Sequence, residues 1–172
     1  MPDNKPRTIT RRTFLISAIP TAALISAGCT PSYINTEVLG TPATGAEIKA
    51  HLSGKSVRYA STAGGPVDVE NYYGANGVFK AVTLDEDAFV LGTWRIHNSL
   101  GKDFLLQQYD VFFIENGRVS RGSSTASFVY YIQPDGTAIL DQMGGGNFEQ
   151  PRPRRGFPAE ARWNALKRKA GV

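Results

Sequence analysis

The sequence is poor in the residues that build metal sites and disulfides. It holds one cysteine and two histidines among 172 residues. One cysteine cannot close a disulfide within the chain, and structural zinc sites need several cysteine or histidine ligands at short spacings. The two histidines, His51 and His97, stand far apart in the sequence and belong to no such spacing. We therefore predict a protein that uses no metal and no cofactor.

The sequence also lacks an apolar run of membrane-spanning length. Its main apolar stretch, residues 14–27, covers 14 residues, whereas a transmembrane helix needs about 20. Basic residues precede this stretch and small residues follow it, which is the order of a signal peptide. We predict that residues 1–28 are an export signal.

The basic part of this signal contains the segment Thr10-Arg-Arg-Thr-Phe-Leu-Ile16. It resembles the twin-arginine export motif, in which paired arginines precede a Phe-Leu pair. The resemblance assigns the motif positions to Arg11, Arg12, Phe14 and Leu15, and it implies export of a chain that has already folded. The alternative is the general secretory route.

The end of the signal, Ser26-Ala-Gly-Cys29, resembles a bacterial lipobox. In that family the cysteine thiol receives a diacylglycerol, and a peptidase cuts the chain before the cysteine. Ser26 departs from the lipobox pattern, because Leu, Ile or Val usually stands at its position. The resemblance implies that Cys29 is lipidated and holds the protein on a membrane of the cell envelope, with its domain facing the periplasm.

The parts that follow differ in composition. Residues 29–45 are rich in Pro, Gly, Ser and Thr, which predicts a flexible tether between the anchor and the domain. Residues 46–147 are expected to form the folded domain. It begins with a short helix over residues 46–53, where apolar residues recur four apart and Gly54 can end the helix. His51 lies near the end of this helix and is expected to be a solvated surface residue rather than a ligand.

Charge is divided unevenly between the domain and the tail. Residues 29–149 hold 8 basic and 13 acidic residues, whereas residues 150–172 hold 7 basic residues and 1 acidic residue. We assign residues 148–172 to a basic tail whose final helix carries Trp163 and Leu166 for docking or membrane contact. An anionic envelope component is the candidate partner, and export argues against nucleic acid. The alternative is a solvated helix end, where basic side chains suit the helix dipole.

The domain shows a strong β pattern. Asn-Gly and Asp-Gly pairs favour tight hairpin turns and predict hairpin tips near Gly77, Gly117 and Gly136. Aromatic pairs precede these turns, and one ring of each pair can enter the core because adjacent side chains point to opposite faces of a strand.

The most regular strand covers residues 88–97. Its alternation places Trp94 on the core-facing side. Arg95 and His97 fall on the other side, and we expect them to face outward, or into a cavity if the sheet is closed.

The fold class follows from these strands. About seven or eight short strands at near-regular spacing predict a mainly β fold, either a small antiparallel β-barrel or a sandwich of calycin-like or lipocalin-like type. A short N-terminal helix and a basic C-terminal helix flank it. Small barrels often hold an apolar ligand in their mouth. The alternative is a core filled by the aromatic side chains themselves.

Four short segments carry a wider resemblance, namely Leu52-Ser-Gly-Lys55, Tyr72-Tyr with Asn-Gly77, Gly92-Thr-Trp94 and Pro134-Asp-Gly136. Together they are similar to small exported proteobacterial proteins of unknown function that are expected to be compact β-domains. The resemblance covers roughly residues 46–147. It implies an exported β-domain and no particular activity.

No segment carries a pattern typical of catalysis. The serines lie outside the nucleophile-elbow motif, and nothing pairs His97 with a nucleophile. The acidic run Asp85-Glu-Asp87 lacks the ligand spacing of a calcium loop, so we expect it to be a solvated turn. The glycine run Gly144-Gly-Gly146 lacks the Lys-Ser/Thr pair that follows the glycines of a phosphate-binding loop. We predict a binding or interaction module rather than an enzyme. The alternatives are a barrel that binds a lipophilic ligand and, less favoured, a periplasmic hydrolase.

Overall fold

The computed structural model describes residues 39–59, 68–143 and 147–172. The predicted signal peptide, Cys29, most of the predicted tether and the glycines at 144–146 lie outside these ranges. In the described part of the chain there are two helices and nine strands. They are α1 (Gly45–Leu52), β1 (Lys55–Tyr59), β2 (Val69–Tyr73), β3 (Val78–Thr83), β4 (Ala88–Ser99), β5 (Lys102–Glu115), β6 (Arg118–Ile132), β7 (Ala138–Gln142), β8 (Asn147–Gln150), β9 (Arg154–Arg155) and α2 (Glu160–Ala170).

The nine described strands form one antiparallel sheet in the order β8-β7-β6-β5-β4-β3-β2-β1-β9. Strands β1 to β7 each pair with the next strand along the chain, whereas β9 returns to pair with β1 at the far edge. The predicted mainly β antiparallel fold with flanking helices is confirmed. Within the described residues the sheet is not closed, because no ladder joins β8 to β9.

The predicted hairpins are confirmed at their tips. Gly77, Gly117 and Gly136 have φ angles of +82°, +75° and +83°, which glycine adopts without steric cost. Asn116 precedes Gly117 with φ +50°, so the β5–β6 turn has two left-handed residues, as a type I′ hairpin requires. The sequence pairs Asn-Gly and Asp-Gly therefore place three of the sheet's turns.

The two edges of the sheet are brought close together by chain length alone. Gln150 ends β8 at one edge, and Arg154 begins β9 at the other. Only residues 151–153 join them, and an extended chain covers at most about 14 Å over this distance. The sheet must therefore curl until β8 approaches the β1–β9 edge.

A glycine allows two neighbouring strands of the sheet to approach closely. Gly92 on β4 lies opposite Tyr109 on β5. A Cβ atom at Gly92 would overlap the carbonyl oxygen of Gln108 and would lie 2.5 Å from Tyr109 Cβ. Any larger residue would push the two strands apart, so the close approach of β4 to β5 depends on glycine.

The concave side of the sheet and α1 enclose the main core. Trp94 is 5% exposed and donates its indole N–H to the carbonyl oxygen of Gly74 at 2.9 Å, as expected for a core tryptophan. Tyr73 and Phe79 pack against each other in the same cluster. Its most deeply buried large side chains are Tyr73, Phe79, Tyr130, Ile48, Leu52 and Leu105. Aromatic rings and the apolar face of α1 thus fill the inside of the curled sheet.

Helix α2 covers a second cluster on the outer face of β3 to β5. Trp163 and Leu166 are 4% and 5% exposed and pack with Phe89 and Phe112. The indole N–H of Trp163 donates to the carbonyl oxygen of Val90 at 2.8 Å. Of the two roles considered for these side chains, docking is the one that the structure shows.

The domain extends beyond the predicted boundaries on both sides. Leu39 and Ala43, which the sequence assigns to the tether, are 3% and 7% exposed, and Leu39 packs against Phe104 and Val129. The backbone N–H of Ala43 also donates to the carbonyl oxygen of Tyr130 at 2.7 Å. The tether prediction is therefore wrong for residues 39–45, because apolar burial and a backbone bond hold them to the sheet.

The predicted boundary between domain and basic tail is also misplaced. Residues 147–150 form β8 and pair with β7, and Arg154 and Arg155 form β9 and pair with β1. The tail is thus part of the sheet and of its outer cover. Composition suggested a separate segment because its charge differs from that of the domain.

Candidate functional site

The predicted anchor and export residues lie outside the described residues. They are Cys29 for lipidation and Arg11, Arg12, Phe14 and Leu15 for export. Their assignment rests on the sequence. The site described below belongs to the folded domain and was not singled out by any sequence motif.

The residues considered for catalysis do not converge. Arg95 and His97 lie on the outer face of β4 and are exposed, as predicted for an open sheet. Their cross-strand neighbours on β5 are Leu106 and Phe104, neither of which is acidic. Among the described residues, no group of three or more His, Cys, Asp or Glu side chains is placed to hold a metal ion.

A polar cluster stands on the outer face of β5 and β6. Asp110 accepts a hydrogen bond from Ser123 Oγ at 2.5 Å and pairs with the Arg121 guanidinium at 2.7 Å. These two donors hold the pKa of Asp110 below its usual value, the Ser123 bond having the larger effect. The cluster is therefore ionised at neutral pH and presents one arginine beside one carboxylate.

An open concavity adjoins this cluster. It has a volume of about 760 Å³ and is lined by three consecutive residues on each of three strands, 91–93 of β4, 108–110 of β5 and 123–125 of β6, together with Gln142. Polar and apolar groups share the accessible lining about equally, and the polar part comes from hydroxyl, amide and carboxylate side chains. A mixed, open surface of this kind resembles ordinary protein–protein contact surfaces more than a closed apolar pocket.

The first half of β6 is an open edge of the sheet. Strand β7 pairs with β6 only at Phe128–Ile132, so among the described residues nothing pairs with the other side of β6 over residues 118–126. Residues 118–123 and Thr125 are exposed, on both faces of the strand. A strand edge of this kind offers unpaired backbone N–H and C=O groups to another chain.

The hydrogen-bond pattern shows which backbone groups point to the open side. On the β7 side, Gln133 N–H donates to Thr137 O and Ser127 O accepts from Met143 N–H. Inter-strand bonds of an antiparallel pair use alternate residues, so the odd-numbered residues of β6 face β7 and the even-numbered residues face β5. The backbone groups of Val119, Arg121, Ser123 and Thr125 therefore point out of the sheet.

A buried polar chain stabilises the interior close to the two approaching edges. Gln150 on β8 accepts a hydrogen bond from Tyr59 Oη of β1 at 3.1 Å and donates to Tyr130 Oη of β6. Gln107 donates to Tyr73 Oη at 2.9 Å. Burial raises the pKa values of the Tyr59, Tyr73 and Tyr130 phenols, so these groups stay neutral and serve as structural partners.

His51 differs from its predicted environment. Its ring packs edge-on against Tyr130, with the ring centroids 5.7 Å apart, and Nε2 is buried without a hydrogen-bond partner among the described residues. Burial, with a smaller contribution from Lys55, lowers its pKa. The interpretation of His51 as a solvated surface residue is wrong, because α1 turns this side chain towards the sheet.

The basic residues of α2 contact the acidic β3–β4 turn. Lys169 Nζ lies 2.6 Å from Asp87 Oδ2, and Arg162 lies 3.6 Å from Asp87 Oδ1. Arg162 also donates to the backbone carbonyls of Thr83 and Glu86. The acidic run is therefore a docking point for the tail rather than only a solvated turn, and part of the tail's positive charge is compensated inside the molecule.

The comparisons with known proteins add no family. No protein-family model, no curated protein and no solved structure matches this chain. No helix of the described residues is both long enough and apolar enough to cross a membrane.

Sequence reasoning overlooked the open edge of β6. The signal was the composition of residues 118–127, in which Ser, Thr and Gly prevail and no side of the strand is apolar. Half-buried strands show alternation, so a strand without it indicates exposure on both faces. The general β pattern of the domain does not distinguish residues 118–127 from the half-buried strands around them.

Proposed function

We propose that this protein is an exported, lipid-anchored interaction module of the cell envelope, in which a curled β-sheet presents a polar outer face to a protein partner. The twin-arginine-like signal and the lipobox-like Ser26–Cys29 segment support the export and anchoring parts. Both motifs favour a domain that faces the periplasm from a membrane anchor.

The packing of the interior is the observation that supports an interaction role. Tyr73, Phe79 and Tyr130 are at most 1% exposed, and α1 adds Ile48 and Leu52 at 0%. A lipophilic ligand would need the space that these side chains occupy. The fold is therefore proposed to be a barrel-like sheet with a filled core, rather than a lipocalin-like container.

The outer face of β4 to β6 is the proposed binding face. It combines the open concavity of about 760 Å³ with exposed polar residues and the Asp110–Arg121 pair. The neighbouring part of the outer face is covered, because α2 packs on Phe89 and Phe112. A polar, partly charged surface of this kind is typical of transient protein contacts.

Site-specific photo-crosslinking in the native host tests the binding face. A photoreactive residue replaces Gln108, which is exposed and lines the concavity. The matched control replaces Lys49, which is exposed on α1. We expect protein adducts from position 108 and none from position 49. Equal adducts at both positions, or adducts with small lipophilic molecules alone, would contradict the proposal.

Fatty-acid labelling tests the anchor separately. The wild-type chain should incorporate a labelled fatty acid, and Cys29→Ser should lose the label because it lacks the only thiol in the chain. Label on both proteins would exclude this anchor. Replacing Arg11 and Arg12 by lysine should hold the precursor in the cytoplasm, and unchanged export would indicate the general secretory route.

A further inference from the structure

We propose that the open edge of β6 pairs with the same edge of a second copy of this chain, so that the two sheets join into one antiparallel sheet about a two-fold axis. This inference goes beyond the proposed function, because such a dimer forms whether or not the outer face binds another protein.

The open edge is well suited to pairing. Residues 118–127 contain no proline, and their side chains are small apart from two arginines and Val119. Proteins commonly protect an open edge with proline, a bulge or an inward-pointing charge. In the ladder to β5 this stretch runs without interruption from Arg118 to Val129, so it also has no bulge. In the described part of the chain the edge is exposed and has neither proline nor bulge, and its charged side chains are Arg118 and Arg121.

The outward-pointing backbone groups fix the register of the pair. Val119, Arg121, Ser123 and Thr125 offer their N–H and C=O groups, whereas Ser127 O is already bonded to Met143. Two antiparallel copies use all four residues when Val119 lies opposite Thr125 and Arg121 lies opposite Ser123. Each of these pairs can exchange two backbone hydrogen bonds.

The side chains favour the same register. Arg121 of one copy meets Ser123 of the other, which is bonded to Asp110 of its own chain. A shift by two residues that centres the axis on Arg121 would place two arginines opposite each other, which is unfavourable. The axis of the preferred register passes through Gly122, where a Cβ atom would meet nothing within 4 Å in the single chain.

This register makes a specific prediction for disulfide trapping. Gly122 lies opposite Gly122 of the second copy at a pair without backbone hydrogen bonds, where Cα atoms are about 4.5 Å apart. That separation falls within the range of about 4.4–6.8 Å that a disulfide spans. Ser120 of one copy lies opposite Ser124 of the other. Two cysteines at position 120, one in each copy, would therefore be about four residues apart along the paired strands, which is too far for a disulfide.

The test is mild oxidation of the full-length chain in its native membranes. Gly122→Cys should form a covalent species of doubled mass. Ser120→Cys and Ser124→Cys should each fail to do so, whereas the double variant should form it. The wild-type chain, whose only cysteine is Cys29, is the blank for each sample. All cysteine positions lie on one exposed strand, so chance collisions would affect them alike.

A second measurement uses the mass of the detergent-solubilised protein without cross-linking. Wild-type protein should have the mass of a dimer, and Ser123→Lys should be monomeric because it places a lysine opposite Arg121 of the second copy. The matched control, His97→Lys, changes an exposed residue of β4 away from both the edge and the concavity, and it should stay dimeric.

Three results would overturn the inference. One is cross-linking of Ser120→Cys as strongly as Gly122→Cys, which would indicate random collision. Another is a monomeric wild type with no cross-linked species from a folded Gly122→Cys variant. The third is an adduct of Gly122→Cys with a different protein, which would mean that another chain occupies the edge. An absence of protein adducts from the photoreactive residue at position 108 would contradict the proposed function but would leave the dimer inference untouched.

Discussion

Two regions at strand edges of the described sheet are protected to different degrees. Near Gln150 the approaching edges are joined by residues 151–153, and the hydrogen bonds of Gln150 with Tyr59 and Tyr130 stabilise the interior beside them. Along residues 118–126 of β6, nothing in the described part of the chain covers the edge. We call the first region the seam and the second the open edge. The difference shows that two strand edges are brought together only where the chain can reach across.

The two regions also differ in how they use polar residues. At the seam, the polar groups are buried and bonded to one another, so they contribute to stability and to a unique arrangement of the strands. At the open edge they are exposed and leave backbone groups unpaired. A substitution at the seam should therefore reduce folding stability, whereas one at the open edge should change association.

The largest expected effect is at the seam. Gln150→Leu leaves the hydroxyl groups of Tyr59 and Tyr130 buried without their partner, and each unsatisfied group costs about 1–3 kcal/mol. We expect the free energy of unfolding in urea to fall by about 2–4 kcal/mol. The control Gln108→Leu alters an exposed glutamine and should change stability by less than about 0.5 kcal/mol. Equal losses for both variants would refute the importance of the seam.

A smaller effect is expected where β4 and β5 approach closely. Gly92→Ala introduces a methyl group that overlaps Gln108 O and crowds Tyr109, and overpacking of this kind costs about 1–3 kcal/mol. Gly122→Ala at the open edge meets nothing within 4 Å. It should be neutral or slightly stabilising. Thermal unfolding of both variants compares this close approach with the open edge directly, and a neutral Gly92→Ala would show that the strands can separate without loss.

The smallest effect concerns the charges next to the open edge. Because Ser123 and Arg121 lower the pKa of Asp110 in the folded protein, this group contributes stability above the unfolded pKa of about 3.9. The contribution is lost as pH falls through the lower folded pKa. It should amount to less than about 1 kcal/mol for this partly exposed pair. Urea unfolding at pH 6 and pH 3 should show a smaller pH dependence for Asp110→Asn than for wild type, and an identical dependence would contradict this role.

The parts of the fold that the sequence predicted are those that depend on near neighbours in the chain. Alternation over residues 88–97 placed Trp94 inside and Arg95 and His97 outside, because strand geometry fixes the direction of successive side chains. The hairpin tips followed from Asn-Gly and Asp-Gly, which tolerate positive φ angles. The two helices followed from apolar spacing and end signals.

The parts that were missed depend on residues distant in the sequence. Composition assigned residues 39–45 to a tether, but Leu39 finds an apolar site formed by Phe104 and Val129. His51 becomes half-buried only because α1 lies against Tyr130. Neither environment exists until strands more than fifty residues away have folded beside them.

The candidate site divides in the same way. The proposed export signal and the proposed anchor at Cys29 are short linear motifs, so their prediction depends on the sequence alone and not on the fold. The open edge exists because no described strand pairs with one side of β6 over residues 118–126, and the polar concavity exists because β4, β5 and β6 lie side by side. A local sequence pattern can predict the strand itself, but it does not predict which strands lie next to it.

The sequence by itself determined the strands, the turns, the segregation of charge and the signal-like N-terminus, because each depends on the conformational preferences of adjacent residues. Only the tertiary structure decided that β9 returns to β1, that α2 docks on the acidic turn near Asp87, and that residues 118–126 remain open. These outcomes depend on strand pairing and packing across the molecule, such as the close approach of β4 and β5 at Gly92 and the short connection of residues 151–153 between β8 and β9.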